Sequence, residues 1–212
     1  LPRFSFFVTS IEAMRALSGN MNGFGGDLRF GEATGLAGAD KICREAARMG
    51  MPGAEAKTWR AFLSATTGGT SGGAVNAVDR IGEGPWYDRM GRLVAMTKAD
   101  LMQTRPRGAD AAIMNDLPNE LGIPNHGTVD NHDTLTGSTS AGVLMNMNAS
   151  STCNDWTSAV GATGRPMLGH SWPATSGQGW IQAHAAAGCA PSVNITGTGG
   201  PPPGSDGVGS GG

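Results

Sequence analysis

With 212 residues, 39% hydrophobic and 15% charged, the chain is long enough to bury one large core, and its surface must be rich in Gly, Ser, Thr and Asn. A net charge of −2 excludes an electrostatic nucleic-acid or heparin binder, and 35 glycines without a G-x-y period exclude collagen and imply many irregular loops. No apolar run approaches the ~20 residues needed to cross a bilayer; Phe4 to Val8 is far too short, and the absence of a signal-peptide pattern fits a mature, cleaved form.

In chain order, Phe4 to Thr9 is aromatic and β-branched and predicts a first strand. Ile11 to Leu17 predicts a short helix between Ser10 as N-cap and Gly19 as stop. After a glycine-rich loop, Leu36 to Met49 is the clearest helix: Asp40 and Glu45 lie outward, while Ala39, Ile42, Cys43, Ala46 and Ala47 share one face. A face made mostly of alanine requires very close packing on its neighbour. Trp59 to Ala65 predicts a strand ending in the surface loop 67–73, and Arg92 to Ala95 another after the turn at Gly84-Pro85. From Thr97 to His132 periodicity is lost and Asn, Asp and Pro recur; so long a loop in a compact domain is usually functional. A further strand is expected around Val143-Leu144-Met145. Residues 197–212 form a Gly/Pro-rich tail, expected to be flexible, behind a domain spanning 1–196.

Three cysteines, none in a CxxC pair, remove zinc-ribbon, thioredoxin-like and c-haem readings. Cys153 and Cys189 lie 36 positions apart, each beside turn formers. A bridge between them would stabilise the fold by about 4 kcal/mol on the chain-entropy account. Such bridges favour an exported protein, and reduced cysteines in a cytosolic protein are the alternative. The four histidines, His126, His132, His170 and His184, show no HxH or HxxxH spacing, so no local motif supports zinc, a site built by distant histidines stays open and the metal is unknown; His184 reads as a helix residue near the cysteine.

The ordered landmarks Gly38-Ala39-Asp40, Cys43, Trp59 to Ser64, Val75-Asn76, Pro85-Trp86, Leu135 to Ser138, Gly142, Cys153 to Thr157, Ala162 to Gly164 and Cys189 resemble the endostatin domain of the collagen XV/XVIII group. The chain is also similar to bacterial endostatin-like surface proteins, and scarce lysine with abundant alanine, glycine and arginine suits a bacterial source. The resemblance covers most of residues 4–190 and implies an α+β, C-type-lectin-like fold: a twisted antiparallel sheet, two helices and long loops. It further implies a Cys153–Cys189 disulfide and a bond from Cys43 to a cysteine in a last strand beside Phe4 to Thr9. No such cysteine follows Cys189, so that strand either lies beyond residue 212 or is supplied by a partner, and Cys43 lacks its mate. The family's zinc site needs an N-terminal histidine cluster, which this sequence lacks.

These readings converge on an extracellular or cell-surface, non-catalytic recognition or adhesion module binding protein or glycan through loops 97–133 and 165–180. Alternatives are a structural subunit of a surface layer or fibre, assembling through the first strand, and a calcium-dependent lectin. Oxygen donors for calcium would come from Asn115, Asp116, Asn119, Glu120, Asp130, Asn131 and Asp133, although the same groups commonly cap turns. Trp172 and Trp180 flank a glycine-rich loop and are the candidate surface aromatics, whereas Trp59, Trp86 and Trp156 are expected in the core. No G-x-S-x-G elbow is present, and no enzyme activity is expected.

Overall fold

The computed structural model describes residues 3–126, 131–161, 164–173 and 177–191; the expected tail and Asp130 lie outside these residues. The architecture is α+β, with two full helices, several single turns and two small antiparallel sheets.

Helix α1 (Ile11–Ser18) starts where Ser10 Oγ accepts the Ala13 N–H and stops at left-handed Gly19, whose N–H reaches Arg15 O. Helix α2 (Gly35–Gly50) is capped by Thr34. Its alanine face packs as closely as its composition requires: a Cβ on Gly38 would sit 2.1 Å from the Leu28 and Arg29 carbonyl oxygens. Single turns α3 (Ala77–Arg80) and α4 (Lys98–Leu101) flank the first sheet, in which β1 (Trp86–Tyr87) pairs with β2 (Leu93–Ala95). The second sheet has the order β3 (Asp133–Leu135), β4 (Met167–His170), β5 (His184–Ala185), antiparallel throughout.

The core forms three apolar clusters. Val8, Trp86, Val94, Leu101, Ile113 and Trp180 make one; Leu28, Ala39, Ile42, Leu63 and Trp156 another; Phe4, Ala47, Ala54 and Trp59 the third. Trp59, Trp86 and Trp156 are thus core residues, as their sequence positions predict.

Three expected strands form no ladder. Phe4 to Thr9 and Trp59 to Ala65 run largely without ladder pairing, with only isolated bridges at Phe4, Val8 and Ala65, because their neighbours are loops. Around Val143 the chain turns instead, with Thr139 N–H bonded to Val143 O and Leu144 N–H held by Asn76 Oδ1. An apolar slot of about 230 Å³ lies between the segment 5–9, residues 59–63 and β3, with Phe6, Phe24, Ile42, Leu63 and the Cys43 side chain among its walls.

Cys153 is bonded to Cys189, and Cys43 is a free cysteine. Cys153 opens an uncommon piece of backbone: Cys153, Asn154, Asp155 and Trp156 all have positive φ, from 49° to 63°. Each non-glycine residue there is disfavoured by about 1–2 kcal/mol. Side chains hold the turn. The disulfide fixes its first residue, and Trp156 is fully buried with its Nε1–H donated to Ser64 O at 2.8 Å. Asp155 accepts from Thr66 N, Thr66 Oγ1, Thr67 N, Thr67 Oγ1 and Thr152 Oγ1.

Candidate functional site

The second sheet brings together residues that are far apart in sequence. Asp133 lies directly opposite His170 in the β3–β4 register, and His184 lies opposite Leu168, two residues before His170. Because side chains alternate along a strand, this register places Asp133, His170 and His184 on one face of the sheet. His132, immediately before β3, folds its ring against that of His170, with centroids 4.0 Å apart.

The four side chains converge on one point. Asp133 Oδ1 lies 3.3 Å from His132 Nε2, 3.1 Å from His170 Nε2 and 3.3 Å from His184 Nε2. One ligand atom from each residue falls within 4.8 Å of all the others. The Asp133 and His170 side chains are 1% exposed and that of His132 7%, whereas that of His184 is 43% exposed and marks the solvent side.

Hydrogen bonding sets which nitrogens point inward. His170 Nδ1 is 2.9 Å from Gln178 Oε1, and His184 Nδ1 is 3.1 Å from Ala185 O. Both partners are acceptors, so each Nδ1 carries a proton; Nε2 then faces Asp133 as a lone pair in the neutral imidazole and as a donor in the imidazolium. Neither Asp133 oxygen nor His170 Nε2 has a hydrogen-bond partner of acceptable geometry, although all are buried. Arg105 braces the end of β4 by donating to the carbonyls of His170 and Ser171, and burial lowers its guanidinium to about 10 against the opposing pull of Asp116. Burial alone would push the Asp133 carboxyl up, but the surrounding histidines outweigh it and hold Asp133 below its ordinary value. Chemically, the buried Asp133 oxygens and His170 Nε2, set beside two further imidazoles, are suited to holding a cation.

Among the described residues, those expected to form a calcium loop are not assembled into an oxygen cage. Asn119 Oδ1 accepts from Leu121 N and Ile123 N, Glu120 accepts from Ser10 N and Oγ, and Asp116 accepts from His126 N. Asn115 is exposed, and Asn131 Oδ1 accepts the Trp172 indole N–H at 3.1 Å. Of the described members of that set, Asp133 joins the cluster, as the fourth residue beside three histidines.

Two sequence expectations are corrected. Trp180 is buried, 6% exposed, because Phe62 and Phe6 pack against it and its Nε1–H is satisfied by Leu101 O; the glycine loop beside it does not carry it to the surface. His184 is in strand β5, not a helix, since Ala183 N and Ala186 N bond to Leu168 O and Pro166 O on β4. Trp172 is half-buried, stacked on His126 at 4.1 Å and meeting His132 edge-on at 4.5 Å. The histidine cluster left no short-range mark because its members come from three strands; the one local signal is the adjacent pair His132-Asp133 opening a strand.

In comparisons with known proteins, no protein-family profile and no curated protein matches the chain.

Proposed function

We propose that this protein binds one divalent transition-metal ion, zinc by preference, through His132, Asp133, His170 and His184. The observation that carries this reading is the convergence of three imidazole nitrogens on one carboxylate oxygen at 3.1–3.3 Å. Ligand distances of about 2.0–2.2 Å in a zinc tetrahedron correspond to edges of about 3.3–3.6 Å. A donor set of three nitrogens and one oxygen suits zinc; calcium wants six to eight oxygens at longer range. The Nδ1 bonds of His170 and His184 would supply the outer shell that orients such ligands. Four protein ligands leave no open position for substrate, so the ion's role is structural: it ties β3, β4 and β5 together.

Around this centre we read an extracellular recognition domain of endostatin-like, C-type-lectin-like architecture. The landmark residues support the architecture, and the Cys153–Cys189 bond supports an oxidising habitat. The metal would steady the loops next to the sheet, including Trp172, which packs on His132.

The test is titration of chelator-treated, oxidised protein with zinc, followed by cobalt substitution. A single site with the intense visible absorption of tetrahedral cobalt is expected, and its loss in Asp133→Ala. Oxidised, folded protein that takes up no zinc refutes the reading. Glycan and protein arrays, probed with and without chelator, then test recognition.

A second reading rests on the slot beside residues 5–9. Its apolar walls and the outer edge of β3 suit an added strand from a partner, including another copy of this chain. Light scattering across concentration, with hydrogen exchange of Phe4 to Thr9, tests it; a strict monomer with slow exchange there refutes assembly through this edge.

A further inference from the structure

The four ligands belong to two unequally anchored bodies. His132, Asp133 and His170 are buried on β3 and β4, which pair at three positions. His184 stands on β5, an edge strand of two exposed residues paired to β4 at two positions. The segment carrying His184 is held at both ends. On one side, Trp180 and Ile181 are buried and Thr136 Oγ1 donates to Ile181 O at 2.6 Å. On the other, Ala186 N donates to Pro166 O at 2.8 Å, and five residues after His184 the chain reaches fully buried Cys189, whose carbonyl accepts from Gly26 N at 2.8 Å and whose covalent attachment is the bond to Cys153.

From this geometry we infer that the Cys153–Cys189 disulfide and the metal centre are thermodynamically coupled, so that metal affinity depends on the redox state of that bond. The inference rests on the metal-binding reading above. Cutting the disulfide removes the covalent tie on the Cys189 side of β5 and leaves backbone hydrogen bonds there, so the time His184 spends within reach of Asp133 falls. Bound metal in turn fixes β5 to β3 and β4, and so holds Cys189 near Cys153. Both links order the same short segment, and each lowers the entropy still to be lost when the other forms.

The redox step is ordinary thiol–disulfide exchange. Two molecules of a low-molecular-weight thiol attack in succession through a mixed disulfide; the Cys153–Cys189 bond breaks, both sulfurs leave as thiols, and one external disulfide forms. Linkage requires reciprocity: the factor by which oxidation strengthens metal binding is the factor by which metal shifts this exchange toward the protein disulfide. The half-buried Cys43 is not part of this bond.

The experiment compares zinc affinity by calorimetry in Cys43→Ser protein and in the same background carrying Cys153→Ser and Cys189→Ser, so that no free thiol competes as a ligand. Zinc binding about 10–100-fold weaker in the serine variant is expected, the range typical for loss of a ligand's support. Equal affinities overturn the coupling while leaving the metal site intact; failure of the oxidised parent to bind zinc overturns the site itself. Should the serine variant not fold, the glutathione exchange equilibrium of the oxidised parent is read with and without buffered free zinc. A shift toward the disulfide that disappears in His184→Ala supports the coupling. No shift, or a shift toward the dithiol, overturns it.

Discussion

Asp133 and His170 face each other directly across the β3–β4 ladder with Oδ1 and Nε2 3.1 Å apart, yet neither atom is hydrogen-bonded. Two buried polar atoms in contact without a shared proton are unfavourable unless something positive sits beside both. A cation beside both would satisfy them, and the imidazoles of His132 and His184 approach the same oxygen at 3.3 Å.

Zinc at 100 times its dissociation constant should stabilise the native state by about 2.7 kcal/mol. For a chain of this length that is a rise in melting temperature of about 5–10 °C. Calorimetry with zinc or with chelator measures it, and Asp133→Ala or His170→Ala should melt at one temperature in both. A zinc-dependent rise of the same size in these variants would place the metal elsewhere.

Acid should weaken the fold through Asp155. Burial tends to raise its carboxyl, but bonds from Thr66, Thr67 and Thr152 outweigh burial and hold it below its ordinary value. A depressed native pKa means stability that is full above the unfolded carboxyl range and lost as pH falls through the native value. Wild type and Asp155→Asn should therefore converge in stability as pH drops below about 4, and differ by about 2–3 kcal/mol at pH 7. Denaturant unfolding across pH is the measurement; a constant difference would show that Asp155 acts through shape and not charge.

Gly169→Ala should be strongly destabilising. A Cβ there would lie 1.8 Å from Trp180 O and 2.3 Å from its carbonyl carbon, which is backbone and cannot rotate aside. The β4 strand would have to separate from residues 179–181, and a loss of about 3 kcal/mol or more is expected in urea unfolding. Gly91→Ala serves as the comparison: nothing stands within 4 Å of its Cβ position, but its φ of 80° gives a smaller, purely conformational loss.

Cys43 should resist alkylation in the native state. Burial, reinforced by Asp40 and opposed by Arg80, pushes its thiol up to about 12. At pH 8 iodoacetamide should modify it only as fast as the surrounding structure opens, while unfolded protein reacts at once. Rapid labelling of folded protein would mean that the slot admits small polar reagents.

The sequence was most informative where a local rule decides the outcome. Ser10 and Gly19 bound α1 as capping chemistry predicts, and the alanine face of α2 packs against backbone as its composition demands. Cys153 and Cys189 are joined as the family resemblance implied. Strand expectations at Phe4 to Thr9 and around Val143 failed because β-propensity reports only that a segment fits a pleated surface; pairing depends on what the rest of the chain brings alongside. The metal cluster failed to register for the same reason in stronger form. Its ligands meet only after β3, β4 and β5 have found their register, and no spacing rule connects residues 132, 170 and 184.

The left-handed run from Cys153 to Trp156 contains no glycine, the residue that would occupy it without strain. Three of its side chains have duties that glycine cannot perform: a covalent tether, a five-bond anchor and a core ring. Asn154 is the exception, exposed and with its side chain donating to neighbouring Thr157. That position is consequently the natural place to harden the molecule for laboratory use, since Asn154→Gly would relax the backbone while leaving every long-range tie in place.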